Sequence, residues 1–230
     1  MRRETTNRFR WMIEELLPPA LRDSQLFRRA ARLVWSDHVD AFAVARERAA
    51  FLTDEEYAAI YRDYPRIHEE TDNSDACVER IARDIVGQEV CDVGCGTGAL
   101  LRRLRETRSD ISRWVGIDVA IPTLGDGSIA YHAGRIECLP FADGEFDTVI
   151  CTHVLEHVLD YRRAIAELRR VARRRLIVVV PREREGRYTF NPHFNFFPYV
   201  HSFLRAMQPV PTSYFCEDVS RDIYYREDLV

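Results

Sequence analysis

Leu176-Ile177-Val178-Val179-Val180 is an uninterrupted apolar run, and it constrains the fold more than any other stretch of the chain. A strand buried on both faces of a sheet reads this way, whereas a strand with one wet face alternates apolar and polar residues. Strand-like segments at Glu89 to Val93, Arg113 to Ile117, Ile129 to His132 and Phe146 to Cys151 come before it. Helical patterns over Ala99 to Thr107 and Tyr161 to Arg173 fall between them. This alternation predicts an open α/β sheet with helices on its faces.

Ahead of residue 88 the pattern is helical: Arg8 to Leu17, a break at Pro18-Pro19, then Leu21 to Trp35. Thr53-Asp54-Glu55-Glu56 has capping-box spacing and opens a helix toward Tyr64, which Pro65 stops. Ser74 or Asp75 caps another helix through Val86, with Gly87 as its C-terminal stop. Residues 1–87 are therefore expected to form a helical extension, with Trp11, Trp35, Phe42, Phe51 and Tyr57 packing it onto the domain at 88–230. Beyond the apolar run, a long connection over 182–211 is expected to cover an acceptor. Within and after it come a helix over Phe197 to Met207 and two short strands, Ser213 to Glu217 and Ile223 to Arg226.

Composition removes several function classes. With 46% hydrophobic and 30% charged residues in 230, the chain can bury one sizeable core. No stretch approaches the roughly 20 apolar residues that span a bilayer, and Glu14 and Glu15 interrupt any signal-peptide core, so a cytoplasmic protein without a membrane partner is expected. The six cysteines contain no CxxC pair and read as free thiols. A net charge of -4 gives no nucleic-acid footprint, and Arg169-Arg170 with Arg173-Arg174-Arg175 reads as a helix C-terminus, where cations favour the dipole. All 33 basic residues are arginine, a skew that suggests a high-GC bacterial genome.

Chemistry is concentrated where the first strand ends, in Asp92-Val93-Gly94-Cys95-Gly96-Thr97-Gly98-Ala99. Glycines let the backbone approach a ligand, and the following helix N-terminus favours a negative group. Gly94-x-Gly96-x-x-Ala99 also satisfies the dinucleotide fingerprint, so the glycines alone leave NAD and S-adenosylmethionine (SAM) both open. Asp92 favours SAM, because an acid before the first glycine can meet the cationic amino end of a methionine moiety and NAD offers no such cation. Asp118, about 20 residues beyond the loop, suits the ribose hydroxyls of either cofactor.

Two further segments, Gly134-Arg135-Ile136-Glu137-Cys138-Leu139-Pro140-Phe141 and His153-Val154-Leu155-Glu156-His157-Val158, follow in order. With Asp92 to Gly98 and Asp118 they resemble, over residues 88–181, the class I SAM-dependent methyltransferases of the small-molecule, type 11-like group. The resemblance implies a Rossmann-like seven-stranded sheet, mostly parallel with a C-terminal antiparallel hairpin. It also implies SAM across the carboxyl ends of strands one and two, with S-adenosylhomocysteine as product. By motif position, Gly94 and Gly96 line the methionine part, Asp118 the ribose, and Ile136 with Glu137 the adenine edge, while Cys95, Val119 and Thr152 complete the cofactor set. Arg135 departs from the family, where an acid often follows the glycine.

His153 ends a strand on the side where open sheets bind ligands, which makes it the first candidate for a base acting on the acceptor. His193, in Asn191-Pro192-His193-Phe194-Asn195-Phe196-Phe197, is the second. His153-x-x-Glu156-His157 also spells an inverted zinc-peptidase pattern on a helical face, but no metal is expected, and His157 reads as a packed group. The implied reaction is methyl transfer to an O or N atom of a small molecule, a sugar or natural-product intermediate, by an enzyme that could be a homodimer. Cys151-Thr152-His153-Val154 lacks the acid-or-Asn, Pro, Pro, aromatic signature of DNA amino-methylating enzymes. The rivals are a non-catalytic SAM-binding subunit and an NAD-dependent oxidoreductase.

Overall fold

A computed structural model describes residues 12–35, 38–63, 70–120, 127–189 and 191–229. Its centre is a seven-stranded sheet of β1 (Glu89–Val93), β2 (Arg113–Asp118), β3 (Ala130–Ala133), β4 (Phe146–Thr152), β5 (Ala172–Pro181), β6 (Tyr214–Val219) and β7 (Asp222–Asp228). The order across the sheet is β3-β2-β1-β4-β5-β7-β6. The first five strands run parallel, and the hairpin of β6 and β7 joins β5 antiparallel. The predicted Rossmann-like arrangement is therefore observed. Because the chain moves outward from β1 to β3 and then returns to start β4 on the other side of β1, a crevice opens at the carboxyl ends of β1 and β4.

The apolar run explains the layering. Leu176, Val178 and Val180 face one core together with Val149, Ile165 and Leu168, whereas Ile177 and Val179 face the other with Ile81, Leu101 and Leu104. Each such side chain contributes about 1.5–3 kcal/mol on burial, so neither face of β5 tolerates water. The two cores are capped by helices α5 (Asp75–Asp84), α6 (Ala99–Thr107) and α7 (Tyr161–Val171). Ser74 begins α5 as predicted, its hydroxyl accepting from the Cys77 amide at 3.2 Å.

The N-terminal segment is more broken than its sequence predicts. Met12–Leu16 is a single wide turn, and the expected helix from Leu21 divides into α1 (Pro19–Arg22) and α2 (Gln25–Trp35). The Ser24 hydroxyl accepts from the Phe27 amide, and Asp23 accepts from the Arg187 amide, so the two polar residues at the break are held by partners a continuous helix would deny them. An unforeseen helix α3 (His38–Glu47) follows, and then α4 (Asp54–Asp63), whose capping box is reciprocal: Glu56 Oε2 accepts from the Thr53 amide and Thr53 Oγ1 from the Glu56 amide.

These helices dock on the connection after β5. Arg22 donates to the Glu185 carbonyl, Arg46 to the Gly186 carbonyl, and Tyr188 is buried among Phe27, Ala31, Val39 and Ala43. Phe42 is buried as expected, but Phe51 is 78% exposed and packs nothing onto the domain. Trp11, the start of the expected first helix, Tyr64 and Pro65 lie outside the described residues, as does the side chain of Trp35. Before β6, the connection also contains α8 (Val200–Ala206), shorter than the helix expected there.

The arginine cluster is not a free basic surface. Arg169 and Arg170 do end α7, but Arg173 and Arg175 lie on β5, and carboxylates meet all four: Glu227, Glu167 with Asp143, Asp147 with Glu89, and Asp228 respectively. None of the six cysteines is in a disulfide, as expected.

Candidate active site

Strand β1 enters the crevice with Asp92 and Val93, and the chain must then turn sharply. Gly94 makes the turn with φ +79°, and a Cβ there would stand 2.1 Å from Val154 Cγ2, so both the backbone and the space require glycine. The amides of Gly94 and Cys95 donate to the Ile117 carbonyl at 2.7 and 3.1 Å, which fastens the loop to the end of β2. At that end Asp118 accepts through Oδ2 from the Gly96 amide at 2.7 Å and through Oδ1 from the Ala120 amide at 3.2 Å. The glycine loop and the acid at the end of β2 are thus one unit.

A cleft opens at this point, lined by Asp92, Gly94, Cys95, Thr152 and His153. Asp92 is 2% exposed, and its Oδ1 has no hydrogen-bond partner among the described residues. Burial, with the charge of Asp118 nearby, pushes its carboxyl up to about 7. An acid held in this state gains from any cation that enters the cleft.

Opposite the loop, Thr152 ends β4 and its hydroxyl accepts from Asn73 Nδ2 at 2.9 Å. Asn73 is buried, and its neighbours Thr71 and Asp72 reach the cleft wall. Sequence reasoning missed this segment. Its signal was the polar run Thr71-Asp72-Asn73-Ser74 directly before a helix cap, which reads equally well as a solvated turn.

His153 leaves β4 with φ +56°, its amide donating to the Val179 carbonyl at 2.9 Å. Its ring is held between two carboxylates, Nδ1 lying 3.5 Å from Glu156 Oε1 and Nε2 3.9 Å from Asp222 Oδ2. Residues 153–157 form a turn, so the helical face expected for His153, Glu156 and His157 does not exist. Burial pushes the Glu156 carboxyl up to about 8, partly offset by His193.

The remaining candidates separate. His193 is buried with Nδ1 2.6 Å from Glu183 Oε2, and its ring meets that of His157 edge-on at 4.7 Å, away from the residues that line the cleft. Ile136 is buried in the core, Glu137 stands 3.4 Å from Arg135, and Val119 is 65% exposed. Arg135, the departure from the family pattern, has its guanidinium 5.5 Å from the centre of the Tyr57 ring. The Tyr57 hydroxyl in turn donates to the His157 carbonyl at 3.0 Å, so α4 reaches the turn after β4 directly.

Residues 91–180, which run from within β1 through most of β5 and hold the glycine loop and the Thr152–His153 side of the cleft, match the methyltransferase domain family. This part of the chain is similar to a methyltransferase domain. Among curated relatives of this domain, a ubiquinone biosynthesis O-methyltransferase of Methylococcus capsulatus is 33% identical over 99 residues, covering 39% of this chain and 40% of the relative. O-methyltransferase resE of Aspergillus sclerotiorum is 26% identical over 152 residues, covering 58% of this chain and 57% of the relative. The match therefore spans about half the length of these proteins or less. A SAM-dependent methyltransferase of Aquifex aeolicus shares the fold with a TM-score of 0.52 at 16% identity, covering 66% of this chain and 89% of that one. The PH0226 protein of Pyrococcus horikoshii does so with a TM-score of 0.55, also at 16% identity, covering 74% and 98%. Outside residues 91–180, α1 and α3 bond to the connection after β5 and α4 to the turn after β4.

Proposed function

We propose that this protein transfers a methyl group from SAM to an oxygen, or a nitrogen, of a small molecule. The observation that carries the reading is the buried Asp92 carboxylate, whose Oδ1 lacks a partner among the described residues, in a glycine-lined cleft of the segment that matches a methyltransferase domain. The residues present fit the cofactor: Asp92 would meet the amino group of its methionine part, Gly94 and Gly96 would let that part approach the backbone, and Asp118 would take the ribose hydroxyls. Ile136 and Glu137 remain the proposed adenine edge, with Cys95, Val119 and Thr152 around them. When bound, SAM supplies a sulfonium methyl open to displacement by a nucleophile.

The chain's own part is to position the acceptor, exclude water and take a proton. His153 lines the cleft and is held by Glu156 and Asp222, so it is the proposed base. The helices of 1–87 and the connection at 182–211 act together as the cover, because Arg22, Arg46 and Tyr57 bind one to the other and to the turn after β4. A closed cover of this kind favours a compact acceptor such as a sugar or natural-product intermediate. The O-methyltransferase relatives support oxygen over nitrogen.

Tritiated SAM offered with a panel of small hydroxylated and amino acceptors tests the activity. With an accepted substrate, His153→Ala is expected to lower turnover by about 10²- to 10⁴-fold while leaving SAM affinity unchanged. Near-normal turnover in that variant would leave catalysis to positioning alone.

A further inference from the structure

Behind His153, the turn after β4 and the connection after β5 bring three ligand-type side chains together. Glu156, His157 and His193 each offer one atom, and these atoms lie within 4.8 Å of one another. Two independent features point to a ligand. The first is Glu156 itself, whose side chain is 1% exposed and whose Oε2 has no hydrogen-bond partner among the described residues. A carboxylate oxygen in that position is costly unless a cation or a proton meets it.

The second is the support given to both histidines. His157 Nδ1 lies 3.2 Å from the Pro192 carbonyl, which only accepts, so Nδ1 carries the proton and the lone pair is on Nε2. His193 Nδ1 lies 2.6 Å from Glu183 Oε2, which fixes the same tautomer. An imidazole whose Nδ1–H is held by a carbonyl or a carboxylate is the arrangement that orients histidine toward a metal. The two segments are also locked in register by the chain alone. The Phe194 and Asn195 amides donate to the Glu156 carbonyl at 2.7 and 3.0 Å, and Asn195 Nδ2 donates to the Leu155 and Val158 carbonyls.

We propose that Glu156, His157 and His193 bind a divalent transition metal, with zinc the first candidate, which clamps the connection after β5 onto the turn after β4. Two imidazoles and one carboxylate suit zinc or a neighbouring first-row ion, whereas magnesium and calcium prefer all-oxygen sets. Three protein ligands leave a fourth position for water or an acceptor oxygen. The His153-x-x-Glu156-His157 spelling suggests a metal only on a helical face, and no such face forms. The turn instead frees Glu156 and His157 to meet a third ligand from beyond β5.

The test takes the full-length protein, strips it with EDTA, and adds Zn²⁺ or Co²⁺ while following bound metal, thermal melting and, for Co²⁺, the visible ligand-field bands. About one equivalent is expected to bind wild type and raise its melting temperature. Binding should weaken at least about tenfold in His193→Ala and in Glu156→Gln, as losing a ligand costs more than losing one of its supports. The melting shift with S-adenosylhomocysteine should persist in both variants, which shows that they fold and separates this proposal from the methyltransferase reading on which it rests. No bound metal in wild type, or binding in both variants as tight as in wild type, would overturn the proposal.

Discussion

Asp92→Asn is expected to make the ligand-free protein more stable at pH 8 while cutting its affinity for SAM by about 10- to 100-fold, the worth of one charge-assisted hydrogen bond. The two effects share a cause. With a folded pKa of about 7 against an ordinary 3.8, Asp92 stabilises the fold fully only below about pH 4, and that contribution is lost as pH rises through 7. The difference amounts to about 4 kcal/mol at most. An amide escapes the charge penalty but is still a buried polar group, so a net gain of about 1–3 kcal/mol is expected. Melting curves of both proteins at pH 5 and pH 8 would check this, since the gap should open toward pH 8. A variant less stable than wild type at both values would mean that the carboxylate has a partner.

Arg169→Met is expected to destabilise the protein by about 3–5 kcal/mol, because it leaves the Glu227 carboxylate buried without its cation. Arg169 joins α7 to β7 through Nε and Nη2, at 2.6 and 2.7 Å from the two oxygens of Glu227, and also donates to the Met207 carbonyl. Glu227 is fully buried, so removing the arginine takes the cation from its carboxylate, which keeps the Tyr225 hydroxyl as a donor, and takes a donor from the Met207 carbonyl as well. Replacing both partners, as in Arg169→Met with Glu227→Leu, should restore much of the loss. Urea unfolding of the single and double variants measures it, and a single-variant loss under about 1 kcal/mol would mean that water reaches Glu227.

How much of this was legible depended on how local the cause is. The strand β5 announced itself because both of its faces are dry, and the turn at Gly94 because no other residue fits there. Helix α3 was missed because its two buried residues, Val39 in the Tyr188 cluster and Phe42, leave only a narrow apolar stripe. The break at Asp23 depends on Arg187, far along the chain. The same holds in the site. Asp92 and Asp118 could be read from their distance to the glycines, but Asn73 reaches Thr152, Tyr57 reaches His157, and Glu183 fixes His193 only once the sheet has formed. The pairing of His153 with Asp222 likewise needs β7 in place beside β5. Arg135 looked like a defect in a motif, but it stands over the ring of Tyr57, a residue of the N-terminal helices that lies outside the motif altogether.

The most direct measurement is calorimetric titration of the purified protein with S-adenosylhomocysteine and, separately, with NAD. S-adenosylhomocysteine is expected to bind at one site per chain with a dissociation constant of about 1 μM to 100 μM, a free energy of roughly 5 to 8 kcal/mol. Asp118→Ala should weaken it markedly, because the carboxylate that takes the ribose hydroxyls also holds the Gly96 amide at 2.7 Å. NAD is expected to give no heat, since it has no amino-acid ammonium group to meet Asp92. Binding of NAD with silence from S-adenosylhomocysteine would contradict the assignment of this cleft to SAM.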